Sequence, residues 1–140
     1  MRKVKELLTV QKGFLYLIRY MINAVEEMKK IFSIAIWTSS LKEYADRVLE
    51  IFDSGPDSFF KYRFYRDQCW KSKGYKPVKD FRIFSGSLNI ENCIIVDNSP
   101  ANYVNMLGHG VPILSFSLES MDLGLMSQDN ELQKLECYLK

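Results

Sequence analysis

The feature that most constrains this chain is FSIAIWT (residues 32–38), a β-branched and aromatic run lying between two stretches of helical periodicity. Such a run, too short for a helix and apolar on both faces, fits a central parallel strand. Before it, Ile22, Val25, Met28 and Ile31 recur at helical spacing, with Glu26, Glu27, Lys29 and Lys30 turned outward. This spacing predicts a helix over 20–31. After it, Leu41, Tyr44, Ala45, Val48, Leu49 and Phe52 mark one face of a second helix, which Ser39 or Ser40 would cap. Further strands are predicted at 14–19, 59–65, 93–97 and 111–116. A short helix is predicted near 79–84, and a closing helix at 129–139. This alternation predicts a three-layer α/β domain with a mostly parallel sheet.

Size and composition agree. One domain with an adequate core suits 140 residues. A formal charge of +2 argues against a general nucleic-acid binder. The three cysteines (Cys69, Cys93, Cys137) form no CxxC pair, which points away from zinc and disulfides and toward a reducing compartment. No apolar run approaches the ~20 residues of a membrane span. Met1–Val10 lacks the marks of a signal peptide.

Ligands of parallel sheets bind beyond the carboxyl ends of the strands. Thr38-Ser39-Ser40 follows one such end. Hydroxyls and N–H groups there suit a phosphate, or simply cap the next helix. Asp97-Asn98-Ser99-Pro100 follows another. Its acid and amide suit Mg²⁺, or form an Asx turn before proline. Residues 61–80 carry Lys61, Arg63, Arg66, Lys71, Lys73, Lys76 and Lys79 against Asp67 and Asp80, a local charge of +5. That excess would suit an anionic, phosphorylated ligand. His109, Cys69, Cys93 and Trp37 are read as structural.

Taken in order, FSIAIWTSSLKEYADRVLEIFD (32–53), FYRDQCW (64–70), KPVKD (76–80) and IIVDNSPANYV (94–104) resemble the small C-terminal-domain phosphatases of RNA polymerase II, in the haloacid dehalogenase superfamily. The resemblance covers residues 14–140, read as the domain, with residues 1–13 left as an N-terminal segment. It implies a Rossmann-like fold and an Mg²⁺-dependent protein phosphoserine phosphatase. Thr38 would bond the phosphoryl oxygens, Lys79 would neutralise them, and Asp97 and Asn98 would belong to the metal site. Leu41, Tyr44 and Arg66 match positions lining the peptide groove. The implied partner is a phosphoprotein or phosphopeptide, and the implied compartment is cytosol or nucleus.

One departure is central. The family's nucleophile and its general acid-base lie in an Asp-x-Asp-x-Thr motif on the first, central strand, and no such motif occurs in this sequence. FLYLIRYM matches the segment after that strand, with Tyr20 in place of a proline, and Glu6 is the only acid in residues 1–12. The expectation is therefore a phosphatase-like domain lacking that strand, without turnover, and binding Mg²⁺ weakly. The alternatives are a non-catalytic phosphopeptide-binding module and a translocase-type structural subunit built on the same domain. Loss of a central strand would also bare two strand edges. Either residues 1–12 fill that slot, or the chain is marginal or self-associating.

Overall fold

A computed structural model describes residues 20–51, 53–71, 76–87, 89–115 and 130–140. The strand expected at 14–19, residues 1–12, Phe52 and Lys73 lie outside the described residues.

The chain divides into two compact units. In the first, residues 20–29 lie in a helix, α1, which buries Ala24 and Val25. Ile31, expected on its apolar face, falls beyond the helix and is exposed. The same unit contains α3 (Glu131–Leu139), which buries Leu135. The Gln133 N–H donates to the Tyr20 hydroxyl at 3.2 Å.

The second unit, Ser33–Leu114, carries the strands. β1 (Ala35–Trp37) pairs in parallel with β2 (Tyr62–Phe64), Ile36 opposite Arg63, with α2 (Lys42–Leu49) crossing between them. β3 (Ile95–Asp97) pairs in parallel with β4 (Gly110–Pro112), Val96 opposite Val111. The parallel α/β expectation holds in this form: two separate parallel pairs, with no ladder joining β1 to β3 among the described residues. The strands are shorter than the apolar runs suggested. β3 is one-sided, with Ile95 and Asp97 inward and Val96 exposed. In β1, Ala35 is exposed while Ile36 and Trp37, on opposite faces, are each half-buried, so the run is not the doubly buried strand that its apolar character suggested.

The core bridges the pairs. Phe81, Ile95, Tyr103 and Met106 form its buried centre, with Trp37, Phe84, Ile90 and Cys93 packed against it. The Trp37 ring meets Phe64, Phe81 and Phe84 at centroid distances of 5.9, 6.1 and 5.2 Å. Trp37 is thus structural, as read from the sequence.

Two elements differ from expectation. Segment 79–84 is a 3₁₀ turn, Phe81–Phe84, opened by Asp80, whose side chain accepts from the Arg82 N–H. Pro100–His109 forms a run of 3₁₀ turns kinked at Tyr103 and Met106. The inward positions there are three apart, the repeat of a 3₁₀ helix rather than an α-helix.

Candidate functional site

The site grows from the ends of β1 and β3. Beyond β1, the Thr38 N–H donates to Phe64 O at 3.0 Å, which extends the pairing by one residue. The chain then turns, and the Ser40 N–H donates to Thr38 Oγ1 at 3.1 Å. The serine caps expected for α2 are not formed. Leu41 occupies the cap position, extended and without a side-chain bond. Thr38 instead closes the turn ahead of the helix, on the N–H of Ser40, the residue before the cap.

Arg66 braces this turn from the end of β2. Its N–H donates to Ser40 O at 3.1 Å, and its Nε donates to Ser39 O at 2.7 Å. Cys69 lies beneath, buried, with Sγ 3.9 Å from Thr38 O. Burial raises its pKa. The charges of Lys79, Lys71 and Arg66 work the other way without overcoming it. Cys69 is therefore a neutral packing thiol at neutral pH, and all three cysteines are free. Leu41 at the cap and Tyr44 on α2 are exposed, 54% and 65%, and with Val48 and with Ile51 just past the helix they continue as an outward apolar stripe. The core-facing residues of α2 are Ala45 and Leu49.

Beyond β3, Asp97 is buried and fully engaged. Its Oδ1 accepts from the Ser99 N–H at 2.8 Å and from Asn102 Nδ2 at 2.9 Å. Its Oδ2 accepts from Lys79 Nζ at 2.5 Å. Burial would raise the Asp97 pKa, but the bonds from Lys79 and Ser99 outweigh it and hold the acid below its ordinary value. Lys79 is itself buried. Its segment lies along the 3₁₀ run. The Lys79 N–H donates to Asn102 O at 2.6 Å, the Phe81 N–H meets Met106 Sδ at 2.8 Å, and Asn105 Nδ2 donates to Asp80 Oδ2 at 3.2 Å. Asn98 follows Asp97 and is exposed.

The structure thus joins Lys79 to Asp97 directly and gathers Thr38, Ser39 and Arg66 at one turn. Trp37, the residue before Thr38, packs on Phe81, two residues after Lys79. Sequence reasoning missed Asn102 and Asp80. Asp80 is entirely buried, and its carboxylate takes two-pronged bonds from Arg82 at 2.5–3.1 Å. An acid beside a candidate phosphate-binding lysine and two residues before an arginine was the available signal.

Mg²⁺ demands several hard oxygen ligands in near-octahedral array. No three of His, Cys, Asp and Glu gather as such a set among the described residues. Asp97 faces an ammonium and two N–H donors rather than other oxygen ligands. The described residues by themselves do not fit the ion.

The second unit is thus a parallel α/β unit with small hydroxyls after one strand and a lysine-paired aspartate at the end of another. The model of the NLI interacting factor-like phosphatase family matches residues 3–140, and the chain belongs to that family. It is similar to a probable C-terminal domain small phosphatase of Dictyostelium discoideum, 36% identical over 75% of this chain and 34% of the relative. It is similar to a human CTD small phosphatase-like protein, 32% identical over 73% of this chain and 35% of the relative. A nuclear envelope morphology protein of Saccharomyces cerevisiae is 28% identical over 72% of this chain and 24% of its own length. The chain therefore spans about a quarter to a third of these curated relatives. No helix among the described residues is long and apolar enough to cross a membrane.

Proposed function

We propose that this domain recognises phosphoserine in proteins and that the 140-residue chain does so without turnover. The observation that carries the reading is the buried Lys79–Asp97 pair at the strand tip, a cation held in place by its carboxylate partner. Phosphoryl transfer depends on positioning and charge neutralisation, and binding a phosphate draws on the same groups. In this reading the Thr38 turn contacts the phosphoryl oxygens and Lys79 supplies the positive charge. Leu41, Tyr44 and Arg66 meet the peptide on either side. Asp97 orients the lysine and, with Asn98, sits where the family's metal would lie.

The absence of Asp-x-Asp-x-Thr from these 140 residues supports binding without turnover, since the motif's first aspartate would accept the phosphoryl group and its second would move the proton. The parallel pairing of β1 with β2 and of β3 with β4 supports a haloacid-dehalogenase-type sheet, and the family match over residues 3–140 supports a domain that includes 14–140. Three free cysteines accord with a cytosolic or nuclear setting.

The test compares binding of a fluorescent phosphoserine peptide with its unphosphorylated twin. The wild-type chain prefers the phosphorylated form, and Lys79→Met removes the preference. A charge-assisted contact of ~1.5–3 kcal/mol corresponds to roughly 10- to 100-fold in affinity. Equal binding of the two peptides by the wild type refutes phosphoserine recognition. Mg²⁺-dependent release of phosphate by the chain refutes the absence of turnover.

A further inference from the structure

Asn102 holds Lys79 at both ends. Its carbonyl accepts the Lys79 backbone N–H at 2.6 Å. Its side-chain Nδ2 donates at 2.9 Å to Oδ1 of Asp97, whose other oxygen holds the lysine ammonium. Its own N–H donates to Ser99 O at 2.9 Å, and the Ser99 N–H donates to the same Asp97 oxygen. A closed ring of bonds therefore runs from the Lys79 backbone through Asn102 to Asp97 and back to Lys79 Nζ.

We propose that Asn102 is the positioning residue of the phosphate-binding lysine: by fixing the rotation of the Asp97 carboxylate it fixes where the Lys79 ammonium stands. This rests on the phosphoserine reading above and adds a determinant to which the resemblance assigned no role. A carboxylate with one oxygen saturated by two N–H donors presents its second oxygen in one direction only. The ammonium is compact and sits on a flexible four-carbon stem, so its direction must come from its partner. Without Nδ2, Asp97 keeps Ser99 on Oδ1 but is free to turn. Its charge is then balanced more fully by Lys79, which draws the lysine from an incoming phosphate. Preorganisation, rather than the number of contacts, is what is lost.

The experiment measures the affinity ratio of the phosphoserine peptide to its unphosphorylated twin in the wild type, Asn102→Asp and Asn102→Leu. Asn102→Asp keeps shape and backbone but replaces the donor by an acceptor. Asn102→Leu removes polarity without adding charge. The ratio falls about tenfold in each, as for loss of one hydrogen bond to a charged group, while affinity for the unphosphorylated peptide stays within about twofold. A purely structural role would lower thermal stability and both affinities together and leave the ratio in place. Because Asn102→Asp also adds a charge beside the phosphate, Asn102→Leu decides, and if it fails to fold Asn102→Ala takes its place. An unchanged ratio in a folded variant overturns the assignment of Asn102 and leaves phosphoserine recognition standing. A wild type with no preference overturns phosphoserine recognition and this role with it.

Discussion

At Gly110 the fold tolerates no side chain at all. A Cβ added there would lie 2.0 Å from Tyr103 Cε2 and 2.5 Å from Cδ2. Tyr103 is only 2% exposed and belongs to the buried cluster with Phe81, Ile95 and Met106, so its ring has nowhere to go. Gly110→Ala is expected to cost about 1–3 kcal/mol, the usual range for overpacking, and chemical denaturation measures it. Gly55 has nothing within 4 Å of its notional Cβ, so Gly55→Ala serves as the near-neutral control. The requirement at Gly110 was not visible in Gly108-His109-Gly110, where the sequence suggested only a loop. It depends on a ring seven residues earlier that reaches back across the start of β4. Asp97 was legible as an acid at a strand end, and its Oδ1 accepting from the Ser99 N–H forms the Asx turn that one reading of Asp97-Asn98-Ser99-Pro100 offered. Lys79 was singled out by the resemblance alone. Asn102 and Asp80 were not legible, because their meaning lies in which backbone atoms they face.

Among the elements, α2 and β2 are tied by an ion network that the sequence hid within a basic stretch. Arg63 on β2 donates to Asp53 Oδ2 at 2.5 Å and stands 3.8 Å from Asp46 Oδ1 on α2. Asp53 also accepts from Ser58 Oγ and the Phe59 N–H, each at 2.7 Å. The Tyr65 hydroxyl donates to Asp46 Oδ1 at 2.6 Å, and Lys42 bonds the other oxygen. The Asp53 side chain is 1% exposed, so it cannot turn to water when its cation is removed. Arg63→Met is expected to destabilise the domain by about 2–3 kcal/mol in urea denaturation, because a buried carboxylate is left with neutral donors only. Periodicity located α2 correctly but misassigned part of its face. Leu41, Tyr44 and Val48 look like core on a helical wheel, yet only Ala45 and Leu49 are buried within the helix. An apolar stripe read from sequence does not distinguish a packed face from one offered to solvent. The 3₁₀ run was missed for a related reason, since Tyr103, Met106 and His109 repeat every three residues and fit neither helix nor strand templates.

For the whole molecule, the buried acids set the response to pH. Arg82 is the main cause holding the Asp80 pKa below its ordinary 3.8, ahead of the opposing effect of burial. For Asp53, burial is the largest influence and acts upward, but the bonds from Phe59, Ser58 and Arg63 bring the net shift down from 3.8. A carboxyl group whose folded value is depressed contributes stability that is complete above its unfolded value and is lost as pH falls through the folded one. Stability is therefore expected to be level with respect to these groups above about pH 5 and to fall steeply below about pH 4. Asp80→Asn should make that fall shallower while lowering the plateau, and urea midpoints across the acid range check both effects. The parallel α/β character was legible because two apolar runs, each followed by small polar residues, leave little else for the chain to become. The division into two strand pairs was not, because pairing depends on which edges meet.

That division bears on how the chain reaches its native state. β1 reaches β2 through one crossover containing α2, and β3 reaches β4 through one crossover containing the 3₁₀ run. Each pair can therefore close over its own connecting segment, at the loop-closure entropy of a single crossover, before the other has formed. The buried cluster of Phe81, Ile95, Tyr103 and Met106, with Trp37 packed against it, draws on both pairs and on the segment between them, so it is complete only once both pairs have closed.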